Sequence, residues 1–140
     1  MISKPSFYFQ KLIVYNKAKM HLLQIVQLSK TLEIPHYLKD QWLRAALSIL
    51  LNIAEGSGRT GKKEKIRFYN IARSSVFECV AITDILSSIG KISDLHGEEL
   101  LKASDELSRM LYTMTRKKIS QNPEPSGIDQ RDLRELNVGN

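Results

Sequence analysis

The chain has 140 residues, of which 42% are hydrophobic and 26% are charged, and its formal net charge at pH 7 is +6. This length suits one compact domain, and the composition is that of a soluble globular protein rather than a disordered one. Apolar runs such as residues 12–15 are far shorter than the roughly 20 residues that a membrane span requires, which excludes a transmembrane helix.

The charge is unevenly distributed along the chain. Residues 1–120 carry 19 Lys and Arg against 11 Asp and Glu, a balance of +8, whereas residues 121–140 carry 2 against 4, a balance of −2. A basic body of this kind suits an anionic partner such as nucleic acid. The final segment also has two prolines, two glycines and few apolar residues, so we expect a folded domain over 1–120 and a flexible tail over 121–140.

The N-terminus and the cysteine content both favour a cytoplasmic location. The first 14 residues contain no long apolar segment with a small-residue cleavage site, so we expect no signal peptide. The single cysteine, Cys79, has no partner for an intramolecular disulfide.

Four helices are predicted. The first runs from residue 9 to about residue 29 and ends before Pro35, because the residue preceding a proline is pushed out of the α region. The second begins at Asp40, a good N-cap residue, and continues to Glu55. The glycines of residues 56–58 then supply the backbone freedom for a turn. The clearest polar strip on the first helix consists of Lys17, His21 and Gln24.

The third predicted helix runs from Gly61 to about Ile89, with Thr60 as its N-cap, and it is apolar on two sides. Because one protein core is not expected to cover two opposite stripes, we expect the second stripe to be an interface with another subunit. The core face recurs at threes and fours and consists of Phe68, Ile71, Ala72, Ser75, Cys79, Ile82, Thr83 and Leu86. The second stripe consists of Ile66, Tyr69, Phe77 and Val80.

The fourth predicted helix begins near Ser93 or Asp94, after the break at Gly90, and finishes in the cations of residues 116–118, where the helix dipole favours positive charge. Alternating apolar and polar runs between turn signals are missing from the sequence, so we expect no strands. Four helices with short connections predict an all-α protein, an antiparallel up-down four-helix bundle.

The stretch GSGRTGKK, residues 56–63, approaches the phosphate-cradling pattern G-x-x-x-x-G-K-[ST], with Lys63 in place of the hydroxyl residue. Such a loop follows a buried strand, whereas the preceding SILLNIAE continues a helix, so we expect an interhelical turn without nucleotide hydrolysis. The free N–H groups at the start of the third helix, together with nearby cations, would still attract phosphates without sequence preference. The alternative is a solvated cationic face. The predicted nucleic-acid-binding residues are Arg59, Lys62, Lys63, Lys65, Arg67 and Arg73, with Tyr69 able to stack on a base.

The run SILLNIAEGSGRTGKKEKIRFYNIARSSVFE, residues 48–78, resembles a known signature. The signature belongs to the four-helix-bundle proteins encoded within intervening sequences of 23S ribosomal RNA genes. It reads S-I-x-x-N-I-A-E-G-x-G-R, then a basic or polar turn, then R-F-x-x-I-A-x-G-S-x-x-E. Accessory variability proteins of diversity-generating retroelements share that fold. The resemblance covers about residues 7–119 and departs at Ser74, where the family usually has glycine, so we expect a looser helix contact there. It implies a basic homopentamer that binds nucleic acid and, in the retroelement branch, docks to a reverse transcriptase; it implies no catalysis.

Two interpretations are open for Asn52 and Glu55, which lie within that signature. They form either a ligand site or a hydrogen-bonded network that pins the second helix against the third, with Arg73 or Glu78 as cross-helix partners. We favour the network, because clusters of carboxylate and arginine are commonly structural. The predicted structural motif consists of Asn52, Glu55, Gly56, Gly58 and Glu78.

We predict no metal site, no other cofactor and no catalytic residue. His21, His36 and His96 are far apart in sequence and have no Cys or carboxylate at ligand spacing. Cys79 falls on the core face of the third helix, which favours a small buried apolar group over a nucleophile.

The sequence therefore predicts a non-enzymatic, oligomeric bundle that binds RNA or DNA through phosphate contacts, as an accessory to a partner that handles nucleic acid. The alternative is a scaffold or adaptor that binds only protein. An enzyme is the third possibility, and it would need an enclosed pocket with convergent polar groups and shifted pKa values. The number of five subunits comes from the resemblance alone.

Overall fold

The computed structural model describes residues 7–116, which form a short 3₁₀-helix and four α-helices. The 3₁₀-helix spans Tyr8–Lys11. The α-helices, α1 to α4, span Ile13–Thr31, His36–Ser57, Lys62–Ser88 and Asp94–Arg116. No strand occurs within residues 7–116, and the all-helical architecture is consistent with a four-helix bundle. The predictions for residues 121–140 and for the cations beyond Arg116 lie outside the described residues.

Helix α2 begins one turn earlier than predicted. Its N-cap is Pro35, with φ −51° and ψ 134°, and not Asp40. Proline is well tolerated at this position because the first N–H groups of a helix have no intrahelical acceptor in any case. The additional turn buries Leu38 in the core, and Asp40 instead contacts the imidazole of His36, at 3.3 Å, one turn back along the helix.

Helix α3 lies between two neighbours of its own chain, α2 and α4. The premise that a second subunit must cover the whole second stripe of α3 is therefore wrong, because these two neighbours already bury part of it. Tyr69, which was predicted to lie at a subunit interface, is only 3% exposed and belongs to the hydrophobic core. Val80 packs partly buried against the same core and Ile66 is half-buried, so Phe77, at 52%, is the exposed member of the stripe.

The core face predicted for α3 is confirmed over most of its length, since Ala72, Cys79 and Leu86 are fully buried. Its first turns differ from the prediction. Ile71 is 38% exposed and Phe68 is half-buried, because both lie at the edge of the contact with α2 rather than at its centre. The contact between α2 and α3 also includes a polar pair inside the core, in which Trp42 Nε1 donates to Thr83 Oγ1 at 3.1 Å.

The polar strip of α1 lies at the seam with α4. Lys17 forms an ion pair with Glu106 at 2.8 Å, and Gln24 donates to Glu99 at 3.2 Å. Between these two contacts, His21 is 2% exposed, and its Nε2 lies 3.3 Å from Ser104 Oγ. Its Nδ1 has no hydrogen-bond partner among the described residues. Burial lowers the pKa of His21 to about 4, since an imidazolium at this position would lose its hydration.

This burial predicts an acid-sensitive fold. The unfolded chain takes up a proton on His21 near pH 6.5, whereas the folded chain does so only near pH 4, so stability present above pH 6.5 is lost as the pH falls toward 4. The free energy of unfolding should drop by roughly 2–3 kcal/mol between pH 7 and 4.5 from this group alone. Urea unfolding of the wild type and of His21→Leu at both pH values isolates the effect, since other titrating groups are shared. An equal pH dependence in both proteins would contradict the prediction.

Candidate nucleic-acid interface at the start of helix α3

The turn between α2 and α3 depends on one glycine, and it does so for space. A Cβ atom on Gly56 would lie 2.7 Å from Tyr69 Cε1 and 3.1 Å from Phe68 Cβ, so only a hydrogen atom fits where the two helices meet. The predicted need for conformational freedom is wrong at Gly58, whose φ of −85° and ψ of −8° suit any residue and whose Cβ would make ordinary contacts. Around Gly61 there is open space.

Lys65 joins the two helices across this turn. Its Nζ donates to the carbonyl oxygens of Gly56 at 3.2 Å and of Ser57 at 2.9 Å, at the C-terminal end of α2, where the last carbonyl groups lack an acceptor role within the helix. A cation is favourable at that position because the helix dipole ends there in partial negative charge. The structure thus gives Lys65, which was predicted to bind nucleic acid, a local structural contact.

At the start of α3, by contrast, cations lie at the positive end of a helix dipole. The N-cap is Gly61 instead of the predicted Thr60, and it offers no side-chain acceptor to the first N–H groups of the helix. The side chains of Lys62 and Lys63 are exposed in this first turn. Positive charge at a helix N-terminus is unfavourable unless an anion compensates it. Glu64, in the same turn, supplies one negative charge.

Two arginines are held over the ring of Phe68. The Cζ atom of Arg59 lies 4.9 Å from the ring centroid, and that of Arg67 lies 4.5 Å from it. Each guanidinium also contacts a carboxylate, Arg59 with Glu55 at 3.6 Å and Arg67 with Glu64 at 3.2 Å. The hydrogen bond from Arg67 is the main reason that the pKa of Glu64 lies below its ordinary value. These exposed pairs add little stability, but they hold both guanidinium groups at the surface.

We call the set Arg59, Lys62, Lys63, Lys65 and Arg67 the basic cluster. It surrounds the turn and the first turns of α3, and the neighbouring carboxylates Glu55 and Glu64 leave it a formal balance of +3. Arg73, the sixth predicted residue, is not part of it. Its Nε donates to Ser108 Oγ of α4 at 3.3 Å. Arg73 lies about 9 Å beyond Arg67 along the axis of α3, at 1.5 Å per residue.

The comparison with known proteins identifies the family. The family model described as 23S rRNA-intervening sequence protein matches residues 10–113, well over half of the chain. The chain belongs to this family. It is also similar to a solved structure, a protein of unknown function from the S23 ribosomal protein family of Bacteroides thetaiotaomicron, with a TM-score of 0.70 and 25% sequence identity. The similarity covers 74% of this chain and 99% of that chain. No curated protein matches.

In this member of the 23S rRNA-intervening sequence family, Asn52 holds α2 against α3 through a serine pair that sequence reasoning missed. Its Nδ2 donates to Ser48 O at 2.8 Å and to Ser48 Oγ at 3.2 Å, and Ser48 Oγ lies 2.8 Å from Ser75 Oγ across the helices. The expected cross-helix partners were wrong, since Arg73 contacts α4 and Glu78 is exposed. Both serines stand at fixed positions of the signature, which was the available signal.

Ser74, where the family usually has glycine, is exposed, so the looser helix contact expected there does not arise within the chain. Cys79 is fully buried, and burial raises the pKa of its thiol to about 12, which keeps it protonated. Within residues 7–116 no three His, Cys, Asp or Glu side chains come together as metal ligands. None of the helices in that part of the chain is long and apolar enough to cross a membrane.

An open, mainly apolar groove of about 630 Å³ lies between the beginning of α1 and the end of α4. Two cations, Lys11 and Arg109, line the groove, and Arg109 is paired with Asp105 at 3.0 Å. The groove therefore lies between a different pair of helices from the basic cluster. Its lining consists of Lys11, Leu12, Ile13, Val14, Arg109, Met110, Thr113 and Met114.

Proposed function

We propose that this protein is a non-enzymatic, oligomeric bundle that binds nucleic acid through phosphate contacts at the basic cluster. The observation that carries the proposal is the gathering of five cations around a helix start whose N-cap provides no side-chain acceptor. Such a helix start presents N–H groups and a positive dipole end to an anion. A bound phosphate would also relieve the unfavourable placement of Lys62 and Lys63 at this end of α3.

Four members of the cluster are placed to contact phosphate. Lys62 and Lys63 are exposed, and the side chains of Arg59 and Arg67 are 45% and 56% exposed despite their ion pairs. The ring of Phe68 holds both guanidinium groups close together, and a guanidinium can bind a phosphate through two parallel N–H bonds. Lys65 contributes charge while its ammonium group caps α2. These contacts involve the backbone of the nucleic acid, so they carry no sequence preference.

The oligomer is proposed to form through the outward faces of α2 and α3. Leu47 and Leu51 on α2, Ile71 and Ile85 on α3, and Ile89 directly after α3 are each between 38% and 53% exposed, and adjacent exposed apolar side chains suit a protein contact. Trp42 contacts Thr83, and Ser48 contacts Ser75. The residue number rises along α2 while that of its partner falls along α3, which supports an antiparallel arrangement of these two helices. The pentameric state and a reverse transcriptase partner rest on the family resemblance.

The proposed function predicts a steep salt dependence of binding. With two to four phosphates contacted per protomer, the slope of log affinity against log salt should lie between about −2 and −4 on duplex DNA, at roughly −0.9 per phosphate, and be somewhat shallower on single strands. Fluorescence anisotropy of labelled 20-nucleotide DNA and RNA, single- and double-stranded, over 50–300 mM salt measures it. A flat salt dependence would rule out phosphate contacts.

The second candidate function is a scaffold that binds only protein. The exposed apolar side chains on α2 and α3 favour it, since they suit protein partners as well as self-association. A protein-only scaffold is expected to form the same oligomer with and without nucleic acid, and to bind none of the four nucleic acids at 50 mM salt.

A further inference from the structure

Two rings and two guanidinium groups alternate across α3 and α4. The Cζ atom of Arg73 lies 5.0 Å from the ring centroid of Phe77 on one side and 5.0 Å from that of Tyr112 on the other. Arg116 follows, with its Cζ also 5.0 Å from the Tyr112 ring. We call Phe77, Arg73, Tyr112 and Arg116 the stacked row. It begins at an exposed ring, passes through a half-buried arginine and a buried tyrosine, and ends at an exposed cation.

Arg73 differs from three other arginines in lacking a carboxylate partner, a property that it shares with Arg44 within residues 7–116. Arg59, Arg67 and Arg109 each pair with a carboxylate, whereas within residues 7–116 no carboxylate oxygen lies within 4.0 Å of the Arg73 guanidinium. The described contacts of Arg73 are its Nε–H bond to Ser108 and the two rings. Its positive charge is therefore uncompensated locally, and its two terminal nitrogens are oriented by stacking while they lack a described acceptor. A phosphate oxygen is a suitable acceptor for them.

Phe77 supplies the other half of a nucleotide site. Its ring is 52% exposed although one side contacts Arg73. A base stacks on an aromatic ring whatever its identity, but only if it is unpaired and free to leave its neighbours. Tyr69, the ring expected from the sequence to stack on a base, is buried and is not available for this purpose.

The stacked row also lies in line with the basic cluster. Lys62 and Arg73 are eleven residues apart, which at about 100° per residue places them within roughly 20° on the same side of α3. A strand whose phosphates contact the basic cluster can thus continue along α3 to Phe77.

We propose that Phe77 and Arg73 form a nucleotide site for single-stranded nucleic acid, in which an unpaired base stacks on Phe77 and its phosphate contacts Arg73. This inference rests on the proposed function and adds a preference for unpaired over duplex nucleic acid. The site accepts a stacked base of any identity.

The contribution of the base is measured with two strands of 12 nucleotides, oligo(dT) and an abasic strand with the same backbone. The wild type should bind oligo(dT) about tenfold more tightly than the abasic strand. Phe77→Leu should lose most of this preference while binding the abasic strand normally, and Phe77→Tyr should keep it. Tyr37→Leu is the matched control, since Tyr37 is 71% exposed and has no arginine stacked on it in the described part of the chain. Sedimentation of each variant verifies an unchanged oligomer.

Photo-crosslinking locates the base directly. An oligonucleotide containing 5-iodouracil is crosslinked to the wild type, and the digest is examined for residues 74–91, the tryptic peptide between Arg73 and Lys91, in which Phe77 is the sole aromatic residue. A crosslink at Phe77 is expected. Normal binding with equal affinity for both strands, or a preference that survives in Phe77→Leu, would overturn this inference and leave the proposed function intact. Failure to bind either strand at low salt would overturn both.

Discussion

Gly56→Leu is expected to destabilise the fold by about 3 kcal/mol, the range for forcing a large side chain into a packed interior. The Cβ position alone comes within 2.7 Å of the Tyr69 ring, and that ring is 3% exposed, so it has no free space to enter. Phe68 Cβ, at 3.1 Å, lies close to its own backbone and can move only if α3 moves. Urea unfolding monitored by circular dichroism measures the change as a lower midpoint at an unchanged slope.

Gly58→Ala is the matched control, two residues along the same turn. Its backbone is already in the right-handed helical region, and the added methyl group would make ordinary contacts, so stability should stay the same or rise by up to about 1 kcal/mol. If Gly56→Leu unfolds within 1 kcal/mol of the wild type, the close approach of α2 and α3 at this point is not what requires the glycine.

The second large effect is expected from charge reversal at the start of α3. Lys62→Glu combined with Lys63→Glu should weaken nucleic-acid binding roughly a hundredfold at 0.1 M salt, taking about 1.5 kcal/mol for each lost charge-assisted contact. The slope of log affinity against log salt on duplex DNA should become shallower by about 2, because two phosphate contacts are lost. Lys65 is kept, since its change would also remove the cap of α2.

The control for this variant carries the same change of net charge elsewhere. Lys19 and Lys30 are exposed on α1, which packs against α2 and α4 and not appreciably against α3. Lys19→Glu combined with Lys30→Glu should leave the salt slope within about 0.5 of the wild type. If both double variants weaken binding equally, the protein binds through its overall charge and the basic cluster has no special role.

Much of the fold was predictable because hydrophobic periodicity and helix breaks are local properties. The four helices, the break at Gly90 and the burial of Cys79 follow from them. The two-sided character of α3 was visible too, but its explanation was not, since a sequence does not show which helix lies beside which. Part of the second stripe is buried within the chain, as Tyr69 is, and the polar strip of α1, with His21 in it, lies at the seam with α4.

The candidate site was predictable as a set of charges and not as a set of contacts. The clustering of cations over residues 59–67 is a property of the sequence, whereas the roles of Lys65 and Arg73 depend on neighbours in space. Gly56 was recognised as structural, but the reason for it, the ring of Tyr69, lies thirteen residues away and on the next helix. Side-chain stacking on Phe68 likewise requires knowing that Arg59 and Arg67 converge there.

The most direct test of the account is an amide NMR titration of the protein with a short single-stranded oligonucleotide at low salt. A phosphate bound at the start of α3 should shift the backbone N–H signals of residues 61–64 more than those of any other helix start, together with the guanidinium signals of Arg59 and Arg67. Largest shifts along the groove between α1 and α4, or on the outward faces of α2 and α3, would contradict the assignment of nucleic-acid binding to the basic cluster.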